Sequence, residues 1–142
     1  MSKYKLTFPE KPAFETAMEV RVSDLNYGGH LGNAQFLELV QEARLRFLKE
    51  YGFSESKFYN GALILSNLTA EYKSQAFLGD ILTFKICPDN FQRSRFDLFY
   101  KVENKDTQKL IALFKTEMVC FDYSTTTILP LPQEFEELFQ ES

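Results

Sequence analysis

Ser23-Asp24-Leu25-Asn26-Tyr27-Gly28-Gly29-His30-Leu31-Gly32-Asn33 runs without a break into a segment where Phe36, Val40, Ala43, Phe47 and Tyr51 recur every three or four residues. That period predicts an amphipathic helix from Asn33 to about Tyr51, with Glu38, Glu42, Arg46 and Lys49 on its other side and Gly52 as its stop. Leu37, Leu39, Leu45 and Leu48 widen the apolar stripe, so other structure should largely wrap the helix. The loop in front of it combines an acid, an amide, the chain's single histidine and three glycines. Glycines let backbone N–H groups come close to a ligand, and a helix start offers unpaired N–H donors and a positive dipole end to an oxygen gaining charge.

Working outward, a short tail passes through Pro9 and Pro12, and Ala13 to Ser23 reads as a strand. Phe14, Thr16, Met18, Val20 and Val22 fall on one of its faces, with Glu15, Glu19 and Arg21 on the other. Beyond the helix, a connector around Ser54 to Gly61 leads to four further strand-like runs: Ala62 to Tyr72, Ile81 to Cys87, Ser94 to Asn104 and Lys109 to Tyr123. Gly79-Asp80, Pro88-Asp89-Asn90 and Asn104-Lys105-Asp106 supply the turns between them. Pro132 opens a short acidic helix, Gln133 to Gln140. One strand, one long helix and four antiparallel strands define an α+β chain, an antiparallel β-sheet wrapped around one long central helix, in a single domain over residues 1–142.

The bulk properties narrow the function classes. With 16 basic and 20 acidic side chains the formal charge is -4, so no overall field favours nucleic acid or an anionic membrane. No stretch approaches the roughly 18 apolar residues needed to cross a bilayer, and Met1 to Lys5 lacks the apolar centre of a leader peptide. Cys87 and Cys120 lie far apart and form no Cys-x-x-Cys pair, which points to buried free thiols and a cytoplasmic, reducing location. The 15 Phe and 7 Tyr, without any Trp, suggest strands together with a large apolar interface or pocket.

The loop resembles the signature of the hotdog-fold acyl-CoA thioesterases of the 4-hydroxybenzoyl-CoA thioesterase-like group, Asp-x-Asp-x-x-Gly-His-x-x-Asn-x-x-Tyr. Asp24, Asn26, Gly29, His30, Asn33 and Phe36 stand at its positions. Tyr72, Gly79 and Asp80 match the group's spacing after the second strand, and Leu131-Pro132 its Leu-Pro near the C-terminus, so the resemblance covers nearly the whole chain. It implies the hotdog fold and hydrolysis of an acyl-CoA or acyl carrier protein thioester. A carboxylate or an activated water would attack the carbonyl carbon while N–H donors, those of Gly28, Gly29 and the helix start, hold its oxygen. Coenzyme A then enters only as part of the substrate, with no other cofactor and no metal. The resemblance also implies a homodimer or homotetramer, since in hotdog proteins the pocket forms between two subunits.

Asn26 occupies the position of the group's second acid, and an amide cannot serve as that nucleophile or base. The candidates for activating water are therefore Asp24, His30, Glu38 and Glu42, with Asn26 and Asn33 orienting the water or the carbonyl. Each has a plainer alternative: Asp24 as a loop cap, His30 as a brace, Asn33 as a helix N-cap, and Glu42 as the surface partner of Arg46. For the phosphates of coenzyme A the local basic cluster is Gln92-Arg93-Ser94-Arg95, with Lys73 and Lys57 as possible neighbours; its alternative is solvated surface. The acyl group would lie beside the helix against Phe36, Leu37, Phe58, Leu63 and Leu65. A protein that binds acyl-CoA or acyl carrier protein without hydrolysing it is the second function class. A hydratase or dehydratase on the same fold is the third, and its usual His with an acid or Ser on another motif is not found.

Overall fold

The computed structural model describes residues 5–140, so the Lys-rich start lies outside the described residues except for Lys5. In chain order the elements are β1 (Phe14–Glu19), α1 (Asn33–Glu50), β2 (Ala62–Tyr72), β3 (Ile81–Asp89), β4 (Arg95–Asn104), β5 (Leu110–Asp122), β6 (Thr127–Ile128) and α2 (Gln133–Glu137). The strands form one antiparallel sheet in the order β1-β3-β4-β5-β2, with the short β6 on β5. Strand alternation turns Phe84, Ile86, Phe96, Leu98, Tyr100, Val102, Phe114 and Met118 to one face, where all are buried. Helix α1 covers that face with Phe36, Val40, Ala43 and Phe47, also buried. Each of the Val, Leu, Ile, Phe and Met side chains among them contributes about 1.5 to 3 kcal/mol by leaving water. This is the expected sheet around one helix.

Several local departures have physical causes. β1 stops at Glu19, and Val22–Asp24 form a single 3-10 turn that leaves Val22 72% exposed rather than on the inner face. The cause is Asp24, whose carboxylate accepts the Arg21 backbone N–H at 2.8 Å and closes the turn. Pro132 takes the N-cap position of α2 instead of opening it, and α2 ends at Glu137. β6 was not anticipated, because two exposed residues carry no alternation to read. Helix α1 ends at Glu50 with Tyr51 as its cap, and Gly52 does stop it: its φ of +84° lets the N–H of Phe53 reach the Leu48 carbonyl and its own N–H reach that of Lys49.

One buried polar group stands out on α1. Arg44, 5% exposed, donates from Nε to Glu55 Oε2 at 2.8 Å and from its guanidinium to the Tyr100 hydroxyl at 3.3 Å. Tyr100 in turn pairs with the Thr116 hydroxyl at 2.8 Å. The chain thereby ties the connector after α1 to β4 and β5 through the core.

Candidate active site

The Gly-rich segment folds into a closed turn before α1. Leu25 bridges Leu31, the Asn26 N–H donates to the His30 carbonyl at 2.8 Å, and the Gly29 N–H donates to the Asn26 carbonyl at 3.1 Å. The Asn26 side-chain oxygen accepts the Gly28 N–H at 2.8 Å and the His30 N–H at 3.4 Å. A carboxylate would fill this acceptor role equally well; the amide keeps the turn's geometry. Gly29 has a φ of +81°, in the region that only glycine enters freely. Tyr27 stands fully exposed at the tip.

These bonds correct one expectation. The N–H groups of Gly28 and Gly29, expected to point at a substrate oxygen, are engaged within the turn itself. The first backbone bond of α1 runs from Phe36 N–H to the Gly32 carbonyl at 2.8 Å, so Gly32 is the N-cap and Asn33 the first helical residue, not the cap. The N–H groups of Asn33, Ala34 and Gln35 therefore point forward off the helix end.

His30 lies at this end, half-buried. Its Nδ1 is 3.3 Å from the Leu31 carbonyl oxygen. A carbonyl can only accept, so Nδ1 carries a proton, and in the neutral ring that tautomer leaves Nε2 as the acceptor. His30, Leu31, Asn33 and Phe36 line one side of an open pocket of about 260 Å³, and Tyr72 to Ala76 line the other. The segment after β2 is held there by the Leu31 N–H donating to the Ala76 carbonyl at 2.8 Å and by the pairing of His30 with Phe77. Its floor is aromatic, with the ring centres of Phe36, Tyr72 and Phe114 between 5.0 and 5.9 Å apart. Sequence reasoning placed Tyr72 and Gly79-Asp80 in a motif without seeing that residues 72–76 form the second wall.

Asp24 is 2% exposed, and both its oxygens face Arg21, from the backbone N–H at 2.8 Å and the guanidinium at 3.3 Å. Burial alone pushes its carboxyl up, but the bonds and charge of Arg21 outweigh this and hold it below the usual carboxylate range. The Asp24 carbonyl also accepts the Gly32 N–H at 3.1 Å, which fixes the helix start.

The remaining candidates lie elsewhere within one chain. Glu42 pairs with Arg46 at 2.7 Å on the surface, about 13 Å along the helix from Asn33. Both line a groove against β1 that also holds Arg21 and Glu38 and is separate from the His30 pocket. Arg93, Ser94 and Arg95 sit at the opposite end of the sheet, because Arg95 is opposite Val119 on β5 while Tyr72 is opposite Ala112. Seven residues of strand separate those levels by about 23 Å. Arg95 there faces Gln92 and Glu117. Phe58 and Leu63 also belong to that distant end, which leaves Phe36 as the expected acyl contact that does line the pocket.

A long helix laid on an antiparallel sheet, with a His-bearing glycine turn at its start, is the arrangement of the hotdog thioesterases. The family model described as the thioesterase-like superfamily matches residues 20–139, and the chain belongs to that family. It is 26% identical over 128 residues to the long-chain acyl-CoA thioesterase FadM of Escherichia coli (strain K12), covering 89% of this chain and 97% of that protein. The fold is shared with Slr0204, a 1,4-dihydroxy-2-naphthoyl-CoA thioesterase from Synechocystis, at a TM-score of 0.78 and 23% identity over 89% of this chain and 94% of that one. It is shared as well with the DHNA-CoA thioesterase from Staphylococcus aureus, at 0.75 and 21% over 87% and 84%.

Proposed function

We propose that this protein hydrolyses acyl-CoA thioesters at the pocket beside His30. The observation that carries the reading is the free Nε2 of His30, set by the Nδ1 contact to Leu31, at the open start of α1. Water held at Nε2 gives up a proton as its oxygen attacks the thioester carbon. The carbonyl oxygen, gaining charge, meets the N–H groups of Asn33, Ala34 and Gln35 and the helix dipole, a stabilisation of about 3 kcal/mol per well-placed donor. Collapse of the intermediate breaks the C–S bond, and the imidazolium returns its proton to the departing thiolate. Asn26 holds the turn and offers its amide N–H groups to the water or the carbonyl, and Asp24 locks the turn to the helix. Since an imidazole supplies the base, no carboxylate is required at position 26. Two free thiols, Cys87 and Cys120, suit the reducing cytoplasm, where acyl-CoA is made and used.

The working unit is a dimer joined through β2. That strand is an outer edge of the sheet and eleven residues long, and its helix-side residues Leu65, Leu68 and Tyr72 remain 41%, 37% and 42% exposed. An unpaired edge with an apolar flank is a template for a second copy. Tyr72 already walls the pocket, so a copy seated on β2 would complete it. Glu42 or the Arg93-Ser94-Arg95 segment would enter the site only from such a copy.

Release of free thiol from a panel of acyl-CoA and acyl carrier protein thioesters tests the hydrolysis. Tight binding of the same thioesters with no release would instead establish the non-hydrolysing alternative. Light scattering at micromolar concentration tests the dimer, and a uniform particle of 16.6 kDa would exclude it.

A further inference from the structure

The N-terminal segment joins two opposite edges of the sheet. Its Leu6 N–H donates to the Glu71 carboxylate on β2, and its Ala13 N–H donates to the Ile86 carbonyl at 2.8 Å, alongside β1. Between β2 and β1 lie β5, β4 and β3, so the segment spans four strand spacings, about 19 Å. Seven residues reach at most about 23 to 25 Å, which leaves room for the bend at Glu10 and Lys11 but not for a path around the helix side. Pro9 and Pro12 restrict the backbone around them towards extended conformations. The route must cross the face away from α1, since Glu71 alternates with the inward Tyr72 and the helix fills the other face.

The side chains beneath this route carry the mark of a cover. Phe99 and Leu113 alternate with inward residues and so point away from α1, yet each is only 9% exposed. They are diagonal neighbours, because Phe99 lies opposite Lys115 and Lys101 opposite Leu113. Leu6 and Phe8, two residues apart and therefore on one side of an extended chain, are both half-buried. Cys87 occupies the same row as Phe99.

We infer that residues 6–13 are a strap that seals the outer sheet face against stacking on a second copy of this protein. An uncovered sheet face bearing Phe99 and Leu113 would pack on its own counterpart, sheet on sheet at about 10 Å. With the strap seated, association is left to the sheet edges, of which β2 is the longer and the one flanked by exposed Leu65, Leu68 and Tyr72. The inference stands apart from hydrolysis and is judged against whatever mass the full chain itself shows, so its failure is distinct from failure of the β2 dimer.

The test compares the full chain with a chain lacking residues 2–12 by sedimentation equilibrium at tens of micromolar. The truncated chain should double its mass or more, and Phe99→Lys with Leu113→Lys in the same truncated chain should restore the parent mass. Labelling of Cys87 by a small disulfide reagent, read by peptide mass spectrometry, should also quicken at least tenfold in the full-length Leu6→Asp/Phe8→Asp chain. If the truncated chain fails to fold, that full-length variant takes over the mass reading. An unchanged mass, or an unchanged Cys87 labelling rate, overturns the strap.

Discussion

The two ends of helix α1 are built from opposite materials. At its start, a turn of small and polar residues is held by backbone bonds to Asn26 and Asp24, and the pocket beside it is open. At its end, Phe53, Phe58, Phe91, Phe96 and Phe139 surround Phe135, with ring centres 4.7 to 6.1 Å from it. The aromatic content, expected in an interface or pocket, goes in large part into closing this end. Stability is thus concentrated where no chemistry is proposed, and the end with usable polar groups is held by weaker, directional bonds.

The largest effects should separate the ends cleanly. His30→Gln should lower kcat/KM by roughly 10² to 10⁴ while leaving the melting temperature nearly unchanged. Steady-state rates, with melting curves alongside, check both; a variant that keeps its rate removes His30 from the mechanism. Phe135→Ala should do the reverse. Loss of a fully buried ring costs about 3 to 5 kcal/mol in urea unfolding, and activity per folded molecule should hold. A parallel loss of activity would show that the ends are coupled.

Asn26 tests the turn more finely. Asn26→Ala removes the acceptor for two backbone N–H groups and should cost about 1 to 2 kcal/mol, with a fall in rate. Asn26→Asp keeps that acceptor and should retain or raise hydrolysis. A rate below one tenth of the parent would assign the amide N–H groups about 1.4 kcal/mol or more of transition-state stabilisation.

The smallest effects are pH limbs of stability, one from each end. Asp24 has a depressed carboxyl when folded, so its contribution is present above the unfolded carboxylate range and fades as pH falls through the folded value. Asp24→Asn should flatten the acid limb of a melting-temperature profile. Cys120, beside Phe58 and Leu129 at the aromatic end, is pushed by burial from 9.0 to about 11. The folded thiol keeps its proton where the unfolded one loses it, so stability is full below pH 9 and declines as pH rises through about 11. Cys120→Ala should reduce that alkaline decline, and an unaltered decline would place it on other groups.

What could be read from the chain follows the range of the forces involved. Helix α1 and strand β2 were legible almost to the residue, because period and turn chemistry are local: Phe36 to Phe47 repeat, and Gly52 stops the helix. The glycine-bearing loop before the helix was legible for the same reason, but not the inward engagement of its Gly28 and Gly29 N–H groups. The position of Arg93 to Arg95 was not, since only the register of β4 on β5 sets their distance from the turn. Residues 72–76 became a pocket wall through one backbone bond, Leu31 to Ala76, which no sequence pattern marks. Val22 left the inner face because a single local bond at Asp24 overrode the alternation.

The chain from Glu55 through Arg44 and Tyr100 to Thr116 constrains how this protein can change over generations. Removing Glu55 alone leaves the buried Arg44 guanidinium with the Tyr100 hydroxyl but no counter-charge, and because Glu55 is partly exposed the cost lies below the roughly 3 to 5 kcal/mol of a fully buried pair. Replacing the whole set with apolar groups of similar volume can be neutral or better. The intermediate sequences are the unfit ones. These positions should therefore drift together or not at all, and substitutions tolerated at any one of them should depend on which residues already occupy the other three.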